Sequence, residues 1–105
     1  MNEERINTLR KFIEENPEDP FNYYGLGVEY QKDDPEKAAE LFNEILEKFP
    51  DYLPTYLTFG QLLENHGDEE TALLVYGKGV ILAKEQSNEK AAKELQSFYD
   101  MLNLD

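Results

Sequence analysis

Cysteine is absent from the 105-residue chain. Its absence removes disulfides, zinc-thiolate sites, iron-sulfur ligation and thiol catalysis together. Histidine occurs once, as His66, which leaves nothing to build a metal site of the usual nitrogen or sulfur type. Positive charge is scarce. Ten Lys+Arg against 23 Asp+Glu give a formal net charge of -13, a sign that repels phosphate backbones and anionic lipid headgroups alike. Nucleic acid and membrane surfaces are therefore poor partners, and neither is expected. Long apolar runs are also missing: stretches such as Ala72-Leu73-Leu74-Val75-Tyr76 fall far short of the ~20 residues that span a bilayer. The start, Met1-Asn2-Glu3-Glu4-Arg5, has neither the basic flank nor the apolar stretch of a signal peptide. These absences point to a soluble cytoplasmic protein.

What is present fits one compact domain. Hydrophobic residues make up 40% of the chain, with 6 Phe and 7 Tyr. That is enough to bury about 65% of the unfolded surface without staples. The acidic excess is spread along the chain, with no linker or acidic tail standing out. Internal repetition is plain. Tyr23, Leu26, Gly27 and Tyr30 recur at a constant offset as Tyr56, Phe59, Gly60 and Leu63. Ala38, Phe42, Ile45 and Leu46 recur, at an offset longer by a single position, as Ala72, Tyr76, Gly79 and Val80. The added residue falls in the connection between the two sets.

Within each copy the apolar spacing i, i+3, i+7, followed by i, i+4, i+7, predicts two amphipathic helices. Asp34 followed by Pro35 and Glu36 is a helix start, and Asp68 with Glu69 and Glu70 is another. Gly67 supplies a left-handed stop. Pro50 closes the first copy and Pro54 begins the second. Ahead of them, Leu9, Phe12, Ile13 and Pro17 match Phe42, Ile45, Leu46 and Pro50, so the chain opens on the second helix of a truncated copy. After them, Ala91, Ala92, Leu95, Phe98, Tyr99 and Leu102 predict an end helix with Ser87 as its N-cap. Six helices are expected, near 3–15, 20–32, 35–49, 53–66, 69–84 and 88–102.

These residues resemble the tetratricopeptide repeat family, whose unit is roughly 34 residues long and consists of two antiparallel helices. The second copy carries the pattern as Tyr56, Phe59, Gly60, Leu63, Gly67, Ala72, Tyr76 and Gly79, with Lys84 where the closing proline is usual. The first carries it as Tyr23, Leu26, Gly27, Tyr30, Ala38, Phe42 and Pro50, with Ile45 where a small residue is usual. The resemblance implies an all-α fold, a right-handed α-solenoid of antiparallel helix pairs. Its single domain over 1–105 comprises a half-repeat at 1–17, repeats at 20–50 and 53–84, and an end helix at 87–103. Gly27, Gly60, Ala38 and Ala72 are read as close-approach positions between helices. Gly77 is read as a tolerated surface glycine, the alternative being close approach by the last helix or a partner.

Catalytic inventories fail. Glu3/Glu4, Glu14/Glu15, Asp33/Asp34 and Glu69/Glu70 sit in polar stretches or at helix starts, where no burial separates their pKa values into an acid and a base. Gly25-x-Gly27 follows no strand and Gly77-Lys78-Gly79 lies within a helix, so neither is a phosphate loop. A calcium loop counted from Asp33 has Pro35, Lys37 and Ala38 at its third, fifth and sixth positions. His66, beside Gly67, is read as a cap on the last carbonyls of its helix. No enzyme, cofactor or metal is expected.

Phe21, Tyr24 and Val28 form a second apolar stripe beside the core stripe of the same helix, and a helix apolar on two faces needs two partners. The resemblance places Phe21, Tyr24, Val28 and Gln31 of the first copy, with Leu57, Gln61 and Glu64 of the second, on a concave peptide-binding groove. The N-terminal helix is one candidate cover for this stripe, most easily over Phe21. Some family members clamp acidic heat-shock-protein tails with Lys, Asn and Arg; the matching positions here, Tyr24, Gly25, Val28, Leu57, Thr58 and Gln61, contain none of these. The expected function is a non-catalytic adaptor binding a protein or peptide with basic flanks and apolar anchors. The alternative is self-association into a homodimer through the same face.

Overall fold

Helix-start chemistry recurs at nearly every turn of the computed structural model, which describes residues 2–104. Six helices follow one another: α1 (Glu3–Glu15), α2 (Pro20–Tyr30), α3 (Pro35–Lys48), α4 (Pro54–Asn65), α5 (Glu69–Glu85) and α6 (Glu89–Leu102). There is no strand among the described residues. Asn2, Asp19, Asp34, Asp68 and Asn88 each accept a hydrogen bond from a backbone N–H of the following first turn, which satisfies a donor that the helix itself leaves orphaned. Proline stands at the first position of α2, α3 and α4, where its missing N–H costs nothing.

The chain divides into two compact units between Tyr52 and Leu53. In the first, α2 packs on α3 and α1 packs on α2; in the second, α4 packs on α5 and α5 on α6. Each unit has the same central device. A Cβ added to Gly27 would lie 2.6 Å from Cε1 of Phe42, and one added to Gly60 would run into the ring of Tyr76. Phe42 and Tyr76 are both fully buried. The ring of the second helix thus occupies the space that a side chain on the first would need.

The connections differ as the spacing requires. After α2, the N–H groups of Asp33 and Asp34 both reach back to the Tyr30 carbonyl, and no residue takes a positive φ there. After α4, the extra residue allows Gly67 to adopt φ +85°, with Gly67 N–H donating to Glu64 and Asp68 N–H to Leu63. This is the paired closure of a left-handed helix stop. The α5–α6 turn repeats it: Ser87 N–H donates to Lys84 and Asn88 N–H to Ala83. Ser87, at φ +58°, fills the place of Gly67, and the N-cap of α6 is Asn88, not Ser87. The expected cap had the right chemistry but stands one residue too early.

Two outcomes test this packing. Gly60→Ala is expected to cost at least ~1–3 kcal/mol in urea unfolding, because the buried Tyr76 ring must shift. Ser87→Gly is expected to raise the unfolding free energy by ~1 kcal/mol in the same measurement, because glycine relieves the left-handed backbone of its Cβ.

Candidate functional site

The residues expected to bind a partner lie on the first helix of each repeat. On α2, Phe21, Tyr24, Val28 and Gln31 follow one another at helical spacing along one face. Phe21 is 62% exposed, and the other three are half-buried. The Tyr24 ring packs 6.1 Å from that of Phe42 and meets Tyr52 edge-on at 5.7 Å. On α4, Leu57, Gln61 and Glu64 share one face and are likewise half-buried.

α1 does not cover Phe21. It buries Ile6 and Leu9, with Leu9 Cδ2 placed 3.3 Å from a Cβ built at Gly25. Arg10 donates to the Tyr30 hydroxyl at 2.6 Å, and Arg5 Nε lies 3.1 Å from Glu29. These contacts hold α1 along Gly25, Glu29 and Tyr30 and leave Phe21 open.

Tyr52 was missed by pattern because it stands outside the helices. An aromatic residue directly after Pro50-Asp51 was the available signal. Burial raises its phenol pKa, with Tyr24 and Asp19 adding to the effect. Tyr52 therefore joins Tyr24 and Phe42 in one aromatic cluster. Whereas its repeat mate Tyr56 is buried, Tyr23 is only half-buried. Its ring packs 5.5 Å from Phe49 and its hydroxyl donates to the Pro17 carbonyl. At Gly79, by contrast, a Cβ would come within 2.7 Å of Tyr56 Cβ. The equivalent Ile45 carries a fully buried side chain.

Glu64 accepts a hydrogen bond from the Tyr76 hydroxyl at 2.9 Å. Burial first, then this bond and the carboxylate's charge, push the Tyr76 phenol well above its ordinary range. His66 caps α4 as expected: Nδ1 is 2.9 Å from the Leu62 carbonyl oxygen, which can only accept, so Nδ1 carries a hydrogen. Among the described residues no group of three or more His, Asp or Glu converges as a metal site. None of the described helices is long and apolar enough to cross a membrane.

The Tyr76 bond gives a pH dependence of definite sign. A phenol raised on folding contributes stability that is fully present below its unfolded value of about 10 and is lost as pH rises beyond it. The melting temperature of the protein is expected to fall above about pH 10. Tyr76→Phe is expected to cost ~1 kcal/mol at neutral pH and to make that alkaline fall shallower. Thermal melts followed by circular dichroism from neutral to alkaline pH measure both effects.

No family model matches the chain, and no curated protein matches it. Solved structures do. The chain is similar to a tetratricopeptide repeat domain protein from Salinibacter ruber, whose solution NMR structure aligns with a TM-score of 0.79 at 36% identity over 84% of this chain and 90% of that one. A crystal structure of a tetratricopeptide repeat domain protein from the same organism aligns with a TM-score of 0.76 at 35% identity, over 83% and 100% of the two chains. The solution structure of a protein from Bordetella parapertussis, 21% identical, shares the fold with a TM-score of 0.77 over 92% of this chain and 85% of that one. The repeated glycine-on-ring packing and this identity across almost all of the Salinibacter domain lead to one conclusion: the chain belongs to the tetratricopeptide repeat family.

Proposed function

We propose that the protein is a non-catalytic protein–protein interaction module that binds a peptide segment of a partner through the second apolar stripe of α2, with the matching residues of the second unit on α4. The observation that carries this reading is on α2. One apolar stripe of that helix, including Leu26 and Tyr30, is buried, while Phe21 at the start of the second stripe remains 62% exposed. Tyr24 and Val28 continue the second stripe, and Leu57 stands on α4 at the position equivalent to Tyr24. Aromatic and aliphatic side chains of this kind supply anchors, and Gln31, Gln61 and Glu64 supply the polar edge. The Glu64 carboxylate is held by Tyr76, which suits it to positioning and not to proton transfer. The net charge of -13 favours a ligand with basic flanks, and steering by that charge acts mainly on the association rate.

Selection from a displayed random-peptide library, followed by fluorescence anisotropy on the winners, tests the reading. Winning peptides are expected to carry apolar anchors flanked by Lys or Arg. Phe21→Ser with Leu57→Ser is expected to weaken them at least ~10-fold, with little change in melting temperature. Tyr56→Ser, in the core, is expected to unfold the domain instead. Peptides that bind the double variant as well as the parent would place binding on another surface.

A further inference from the structure

The second helices of the two repeats differ on the side turned away from their own cores. In α3 the exposed positions include Glu40, Asn43 and Glu47. Their counterparts one repeat later, on α5, are Leu74, Gly77 and Ile81. Leu74 and Ile81 are 62% and 61% exposed. Meanwhile Ala72, Val75, Tyr76, Gly79, Val80 and Ala83 bury the rest of α5. The helix is thus apolar nearly all round, and Leu74 and Ile81, with Lys78 between them, are uncovered.

A hollow of about 540 Å³ lies on this side, lined by Leu73, Leu74, Gly77 and Ile81 of α5 and by Gln96 and Tyr99 of α6. Gly77 keeps it open. A Cβ there would meet Tyr99 at 3.5 Å, an ordinary contact, so packing by α6 does not by itself require glycine at this position. The absent Cβ leaves the floor of the hollow at Gly77 free for a side chain or backbone from outside the unit.

The order of residues along α5 names the visitor. Counting outward from Gly77, Leu73 on one side answers Ile81 on the other, and Glu70 answers Lys84. All lie within one side of the helix at about 100° per residue. Such a face is complementary to itself only when reversed. A parallel copy would set Glu70 against Glu70 and Lys84 against Lys84. An antiparallel copy sets Glu70 against Lys84 twice, with Leu73 against Ile81 and glycine against glycine at the crossing. The equivalent residues of the first repeat, Glu36, Ala39, Asn43 and Glu47 of α3 and Pro50 after it, have no such symmetry.

We infer that the occupant of this face is a second copy of the chain, paired antiparallel through α5 about a two-fold axis beside Gly77. The contact is isologous, so it closes at two copies. It uses neither the α2 nor the α4 face, and the two readings stand or fall separately.

Sedimentation equilibrium over a concentration series tests the inference, run in ~0.15 M salt, where screening to ~8 Å limits repulsion between two acidic chains. The full chain is expected to move from its own mass of 12.2 kDa toward twice that value as concentration rises. Leu74→Glu with Ile81→Glu, which copies the charge pattern of α3, is expected to raise the dimer dissociation constant at least ~100-fold. Circular dichroism and melting temperature of the monomer are expected to be unchanged by this pair. Glu70→Lys and Lys84→Glu are each expected to weaken the dimer ~10-fold, and the two together to restore it to within ~3-fold. Phe21→Ser leaves dimerisation intact. A chain that stays monomeric to millimolar concentration, a dimer indifferent to the glutamate pair, or charge reversals that fail to compensate would each overturn the pairing.

Discussion

An aromatic ring lying where a glycine's side chain would have been sets the geometry of each repeat. Phe42 over Gly27 and Tyr76 over Gly60 bring the two helices of a hairpin closer than any other residue at the glycine position allows. Both rings are fully buried, and their shape therefore decides which other side chains face inward. Leu26, Tyr30 and Ile45 complete the inner face of the first unit, and Tyr56, Phe59 and Val80 that of the second. Once the core side is fixed in this way, the helical period leaves Phe21 and Val28 nowhere to point but away from the rings. The candidate binding face is thus a by-product of the core.

Much of this was legible in the amino-acid pattern, because repetition and helix punctuation are both local. The two repeat offsets, unequal by a single residue, marked the hairpins, and Asp34, Pro35, Gly67 and Asp68 marked their turns. What escaped were features that depend on neighbours in space. The αL position at Ser87 went unseen because glycine is the only residue that advertises it. Tyr23 is half-buried where its repeat mate Tyr56 is buried, a difference that the shared spacing does not carry. Tyr52 lies between helices, where periodicity says nothing. Phe21 stayed open because α1 settled beside Gly25, a placement that no spacing rule specifies. The α5 face was hidden for a different reason. Its apolar residues surround the helix, so the pattern could not separate an inner side from an outer one.

The acidic excess has work to do inside the fold as well as outside it. Glu3, Glu4, Glu36, Glu69, Glu70 and Glu89 all stand in the first turns of helices. There they lie near the positive end of the helix dipole, each worth a few tenths of a kcal/mol up to about 1 kcal/mol. The aspartates that cap α2, α3 and α5 add to the count. Part of the net charge is therefore a consequence of making many short helices begin cleanly, and its effect on partners is inherited from that need.

Within each unit, helices pack against their neighbours in the chain, and the ring that locks a hairpin follows its glycine by no more than the rest of one helix, a turn and the start of the next. Contacts this local require little loop entropy to be lost before they form. Low contact order places such a chain among the fast folders, on the microsecond-to-millisecond scale. It also allows a hairpin to close as soon as its second helix has been synthesised, since nothing it needs for that closure is still to come.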